Sequence, residues 1–307
     1  MEDLFYRKLI LTTPEEHIRL DEPMEYHTSL HIGGKVDYFV TPTDVDEVKA
    51  IVCLCKSEKM PFFIMGNGSN LLVSDLGYRG VILQLGDEFQ KATVNKDGII
   101  TAQAGILLSR LANIAAEHSL TGFEFASGIP GTLGGAVTMN AGAYDGEMKQ
   151  CLLKARVMDE EGNIKELSLE ELELGYRTSI LQKESYVLLE AEIKLSKGEE
   201  HLIRQKMSDL NAQRRDKQPL DKYSAGSTFK RPVGYFAGKL INDAGLRGYQ
   251  VGGAAVSEKH CGFLINKDNA TAEEFLTLIR DVIRIVEEKF GVRLEPEVKF
   301  LGDGLRL

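Results

Sequence analysis

Apolar residues recur at helical spacing in several stretches of the chain. Val45, Val48, Ile51, Val52 and Cys55 form a stripe that predicts a helix over 43–56, with Thr43 able to cap it. Residues 107–118 read as a second amphipathic helix, and 199–215 and 236–244 as two more. The strongest stripe runs from 272 to 290, where Phe275, Leu278, Ile279, Val282, Ile283 and Val286 share one face and Thr271 with Glu274 makes a capping-box pair. Strand character appears at 61–65, 71–73 and 81–85, then as an alternation over 92–106. Residues 151–159 and 164–167, joined by the polar 160–163, predict a hairpin, and 186–195 a further strand. Between them, 122–146 is glycine-rich and nearly uncharged, which predicts loop and turn structure.

Length and charge narrow the picture. At 307 residues the chain exceeds one hydrophobic core, so two or three packed units are expected. A net charge of -9 argues against nucleic acid as a partner, while leaving room for a local basic site for a small anion. The apolar run near the N-terminus is too short for a membrane span and lacks a small-residue cleavage site, so a cytoplasmic protein without a membrane partner is expected. Four cysteines show no metal-ligand spacing, so no metal site is expected; they read as reduced, small core residues.

Two glycine-rich segments carry the chemistry. One is GNGSN at 66–70, in a turn after a buried strand; the other is SGIPGTLGGAVTMNAGAY at 127–144. Neither fits the Rossmann or P-loop fingerprint. Taken alone, the shorter one reads as a surface turn. Glycines in the longer one let backbone N–H groups approach a pyrophosphate without a lysine, and small residues before Asn140 leave room for a flat ring system. Together the two segments resemble the FAD-binding domain of the vanillyl-alcohol-oxidase-like (PCMH) flavoproteins, most closely the UDP-N-acetylenolpyruvoylglucosamine reductase family.

That resemblance implies an α+β fold: an FAD-binding domain in two α/β subdomains, over 1–85 with 291–307 and over 86–215, plus a C-terminal α+β substrate domain over 216–290. It implies noncovalent FAD held by Gly66, Asn67, Gly68, Ser69 and Asn70 of the first segment. From the second it implies Ser127, Gly128, Ile129, Pro130, Gly131, Thr132, Gly134, Gly135, Ala136, Asn140 and Ala141. No covalent flavin linkage is implied, which leaves His27, His31 and His118 as structural or surface residues.

Three further segments match the same family: GYRTS at 175–179, AGSTFKRP at 225–232 and LEPEV at 294–298. The implied reaction is NADPH-dependent reduction of UDP-N-acetylglucosamine enolpyruvate to UDP-N-acetylmuramate, a step of peptidoglycan precursor synthesis. Hydride would pass from flavin N5 to the enolpyruvyl methylene, and negative charge would grow on the adjacent carbon and its carboxylate. Arg177 then offers a cationic fork to the carboxylate. Glu297, kept neutral by burial and by a neighbouring negative charge, would donate a hydrogen bond, and Ser227 would protonate the carbon. For the substrate the resemblance points to Tyr176, Lys217 and Lys239. Only Val233 to Phe236 separate the FKRP and AGKLI segments, as in the shorter subtype without a substrate-covering loop insertion, and Arg231 and Tyr235 are both candidates for the cover. Competing expectations are an oxidase of the same superfamily and a noncatalytic binder of flavin or UDP-sugar. No obligate protein partner is implied.

Overall fold

The computed structural model describes residues 4–307. Among these residues the longer strands form three sheets. The first has the order Ile18–Pro23, Lys35–Val40, Tyr78–Gln84, Phe62–Met65, with the last two strands parallel. The second is an antiparallel run of five in the order Ile164–Ser168, Leu152–Met158, Val187–Lys194, Ile99–Gln103, Ala92–Val94. The third, of four short antiparallel strands, follows the order Tyr223–Ser224, Leu264–Asn266, Ala254–Val256, Gln250–Val251. The predicted hairpin forms with Met158 opposite Ile164 and Lys154 opposite Ser168. Mixed helix and strand content makes the fold α+β, as expected.

The chain condenses into two compact units: residues 1–20, 38–67 and 80–213 in one, and 21–37, 68–79 and 214–307 in the other. This grouping is coarser than the three-part division expected from sequence, and it places 291–307 with the 214–290 region. Unit 1 carries α1 (Leu4–Leu9), α2 (Val45–Ser57), α3 (Leu108–Glu117), α4 (Leu133–Thr138) and most of α5 (Glu200–Lys217). Its core joins Val48, Ile51 and Val52 of α2 to Leu111 and Ala115 of α3, and both to the middle of the five-stranded sheet, where Ile100, Ala102, Ala191 and Ile193 are buried.

Two local expectations change. The cap of α2 is Asp44, not Thr43: its carboxylate accepts from Glu47 N at 2.8 Å, while Thr43 N donates to the Glu47 carboxylate at 2.8 Å. An ionised acceptor is the better partner for a helix N-terminus, so the neighbouring residue takes the position. The glycine-rich stretch is also not all loop, because it contains α4. That helix stops where Asn140 turns left-handed at φ 41. Ala141 N reaches Ala136 O at 2.8 Å and Asn140 N reaches Val137 O at 3.1 Å, the paired bonds of a Schellman stop with asparagine in the place glycine usually takes.

Unit 2 contains α6 (Ala237–Asp243) and α7 (Ala272–Phe290). The α7 stripe is core as its spacing predicts, buried with Leu240, Ile241, Val256 and Leu264. Its capping box forms in full: Glu274 N donates to Thr271 Oγ1 at 3.1 Å and Thr271 N to the Glu274 carboxylate at 3.0 Å. The parallel pair Leu71–Val73 and Lys299–Leu301 ties the end of the chain into this unit. No helix among the described residues is long and apolar enough to cross a membrane. All four cysteines are free thiols, and burial pushes those of Cys55 and Cys151 up to about 12, so neither is a ready thiolate.

Candidate active site

In unit 1 the two glycine-rich segments abut. Gly66 ends the Phe62–Met65 strand, and a side-chain carbon placed on it would lie 2.1 Å from Thr132 Oγ1, at the start of α4. Only glycine permits this approach. Not every N–H of the segment faces outward, since Leu133 N donates to Ile106 O at 2.9 Å and Gly134 N to Ala104 O at 2.8 Å. Gly134 thus anchors α4 to the sheet as well as keeping the segment small. Ser127 is buried, and its hydroxyl accepts from Asn211 of α5 at 3.4 Å.

Glu124 braces the approach to this segment. It is only 3% exposed, and its carboxylate accepts from Thr121 Oγ1 at 2.6 Å and Gly122 N at 3.0 Å, with Lys206 Nζ at 3.5 Å. Burial opposes its charge, but the bonds from Thr121, its own N–H and Gly122, with Lys206 nearby, outweigh burial and hold the carboxyl below the usual range. A depressed folded-state pKa stabilises the fold fully above the unfolded value, and that stabilisation is lost as pH falls through the folded value. Glu124→Gln is therefore expected to cost about 1–3 kcal/mol near neutral pH. It should also shrink the loss of urea midpoint as pH drops below about 4.3. An unchanged acid limb in the variant would count against this brace.

Arg177 sits at the tip of a tight turn in unit 1. Gly175 N donates to Thr178 O at 3.1 Å, Thr178 N returns to Gly175 O at 3.4 Å, and Arg177 itself has φ 56. The third position of such a turn normally takes glycine or asparagine, and an ordinary side chain there costs about 1–2 kcal/mol. The turn is held from the glycine-rich segment. Asn140 Nδ2 donates to Gly175 O at 3.0 Å and to the Glu147 carboxylate at 3.1 Å, while its oxygen accepts from Lys149 N at 2.9 Å. Every polar atom of that buried side chain is thus engaged within the protein, so Asn140 shapes the segment rather than reaching out from it by its amide. Arg177 also donates to Gly142 O at 3.4 Å.

Ser227 and Glu297 lie on adjoining segments of unit 2. Gly226 has φ 76 with nothing near the missing side chain, so glycine here serves the turn that exposes Ser227. The next residue enters a short backbone ladder. Glu297 N donates to Thr228 O at 2.8 Å, Phe229 bridges Pro296, and Lys230 N donates to Glu295 O at 2.8 Å. Thr228 is fixed in turn, its N donating to Gly262 O at 2.9 Å and its hydroxyl accepting from Leu264 N at 3.1 Å. Asn70 of the shorter glycine segment donates to Glu297 O at 3.1 Å and accepts from Lys299 N at 3.0 Å. The ammonium of Lys299 is held below its usual range by burial and then by Lys230, while Glu295 and Glu297 pull the other way.

Comparison with known proteins decides the family. Residues 36–168 match the FAD binding domain model, and 218–301 the model of the UDP-N-acetylenolpyruvoylglucosamine reductase C-terminal domain. The chain is 53% identical over 306 residues to the UDP-N-acetylenolpyruvoylglucosamine reductase of Lachnoclostridium phytofermentans, covering 99% of each. It belongs to the UDP-N-acetylenolpyruvoylglucosamine reductase family. The reductase of Clostridioides difficile is 51% identical over 298 residues, 97% of this chain and 98% of that one. The crystal structure of the Thermus caldophilus reductase superposes with a TM-score of 0.79 at 34% identity, covering 93% of this chain and all of that one.

The remaining positions that the reductase resemblance singles out are surface residues. Tyr176 is 54% exposed beside the Arg177 guanidinium, which lies 5.3 Å from its ring centre. Lys217 ends α5 and is exposed. Lys239 pairs with Asp243 one turn along α6 and holds that carboxyl below its usual range. An incoming phosphate would have to compete with this partner. In the short 233–236 connection, Arg231 stacks on Phe236 at 4.0 Å, and Tyr235 is exposed. Sequence reading named Arg231 and Tyr235 for this region but gave no part to Phe236, which stacks with Arg231. It quoted Ser179 only within the GYRTS motif and did not single out Gln182, which lies just beyond the Arg177 turn.

The match of residues 36–168 to the FAD binding domain model assigns FAD to this unit, and the close approach of Gly66 to Thr132 brings its two glycine-rich segments together.

Proposed function

We propose that this chain reduces UDP-N-acetylglucosamine enolpyruvate to UDP-N-acetylmuramate, with noncovalent FAD and with NADPH as the hydride donor, in the cytoplasm during peptidoglycan precursor synthesis. The observation that carries this reading is near-full-length similarity at 53% identity to a named reductase, with Arg177, Ser227 and Glu297 all standing in the motif positions. When bound, FAD supplies the two-electron chemistry, accepting hydride from NADPH and delivering it to the enolpyruvyl methylene. The segments at 66–70 and 127–141 would hold it.

The residues of the chain then manage charge and a proton. Arg177 holds the substrate carboxylate with a planar cationic fork of donors. Glu297, in its protonated form, donates to the same group as negative charge spreads onto it. Ser227 gives its proton to the carbon beside the carboxylate, and its alkoxide is reprotonated from solvent. A serine hydroxyl is a weak acid, but a carbanionic carbon is a far stronger base than water, so the transfer runs downhill.

Anaerobic spectroscopy tests the reading. The purified yellow protein should bleach with NADPH and regain colour promptly on addition of the UDP-enolpyruvyl sugar. Return of colour only on admitting oxygen, with the enolpyruvyl sugar inert, would instead favour an oxidase.

A further inference from the structure

We infer that Gln182 is a positioning residue for Arg177, clamping the arginine turn to the end of α4 so that its guanidinium is presented to a carboxylate. The inference rests on the reading of Arg177 given above and adds the device that holds it. Gln182 Nε2 donates to Arg177 O at 3.0 Å and to Thr138 O at 2.8 Å. Both neighbours are carbonyl oxygens, so the amide nitrogen, not its oxygen, must face them. Thr138 is the last residue of α4, and its carbonyl is among those a helix leaves without an internal partner. Ser179, fully buried, donates to the same carbonyl at 2.7 Å. Two side chains that follow Arg177 by two and five residues thus close on one carbonyl of the glycine-rich segment.

The clamp accounts for an otherwise costly conformation. Arg177 occupies a left-handed position that glycine would fill without strain, and such a position persists only where its surroundings over-determine it. Asn140 holds Gly175 O on one side of the turn, and Gln182 holds Arg177 O on the other. Releasing the second contact lets the Arg177 peptide rotate out of the left-handed region. That rotation swings the side chain, and its fork no longer meets a planar acceptor squarely. Ser179 still anchors the segment to α4, so the fold itself should survive.

The test separates positioning from general support by comparing two ligands of the oxidised, FAD-loaded protein in calorimetry. UDP-N-acetylmuramate carries the carboxylate, and UDP-N-acetylglucosamine lacks it. Gln182→Ala should lower the preference for the carboxylate ligand by about tenfold, the scale of one charge-assisted contact, with affinity for UDP-N-acetylglucosamine unchanged. Gln182→Glu, which keeps the shape, should lose the preference at pH 8 and regain part of it near pH 5, where a protonated carboxyl can again donate to one carbonyl. Equal weakening of both ligands, or a full preference in Gln182→Ala, would overturn the clamp; if that variant is insoluble, the pH response of Gln182→Glu decides. Arg177→Ala provides the reference. Should it retain the preference, the assignment of Arg177 itself falls, whereas loss there with retention in the Gln182 variants removes the clamp alone.

Discussion

Ser227→Ala is expected to leave bleaching of the flavin by NADPH at its normal rate and to slow reoxidation by the enolpyruvyl sugar by about 10²–10⁴-fold, the usual worth of a positioned proton donor. The split follows from what the hydroxyl does. Hydride transfer from NADPH creates no carbanion, so it has no use for a proton from Ser227. Reduction of the enolpyruvyl group does create one. Ser227 is exposed at a glycine turn, with Thr228 beside it fixed through Gly262, Leu264 and Glu297, so removing one hydroxyl leaves the loop supported. Stability should change by no more than about 0.5 kcal/mol. Ser227→Cys keeps a proton at the same place on a more acidic group and should recover part of the lost rate. Stopped-flow absorbance at the flavin band reads both halves separately. A slowdown confined to the NADPH half, or none in either, would remove Ser227 from its role.

Much of this was open to reading in the one-dimensional pattern, and the parts that were not share a cause. The α7 stripe, its capping box and the 151–168 hairpin depend on neighbours within a few residues, and they formed as the spacing predicts. The two glycine segments stood out by composition, and Arg177, Ser227 and Glu297 were singled out through the resemblance of the motifs around them to the reductase family. Hidden were the contacts between distant positions. Asn70 stood out as a cofactor residue, yet its amide meets Glu297 O, 227 positions away. Asn140 was read the same way, yet its amide holds the Arg177 turn. Gln182 lies in an ordinary polar stretch, and nothing in local periodicity marks a side chain whose partner is the carbonyl end of a six-residue helix. That helix was itself obscured by Gly134 and Gly135, which lower helix propensity, although Gly134 also packs close against Ala104. Asp44 displaced Thr43 because its carboxylate is the stronger acceptor at a helix N-terminus, a difference that hydrophobic spacing does not register.

Glu297→Ala should slow reduction of the enolpyruvyl sugar by about 10²–10³-fold, as expected for loss of one donor aimed at growing negative charge, and Glu297→Gln should lose distinctly less. The ranking is the informative part. A carboxyl group acting in its protonated form contributes an O–H, and the glutamine amide supplies an N–H in nearly the same place. A carboxylate acting as a base or as a bare anion would have no counterpart in glutamine, and the two variants would then be equally impaired. Position should not confuse the comparison. The backbone of Glu297 is held on both sides, by Thr228 O at its N–H and by Asn70 at its carbonyl, so either side chain starts from the same point. A protonated Glu297 carries no charge, so neither the glutamine nor the alanine variant changes the charge at this position. Any difference between the two variants therefore reports the donated hydrogen bond. Single-turnover reoxidation of the reduced protein measures it, and equal rates for the Glu297→Gln and Glu297→Ala proteins would assign the residue an anionic role instead.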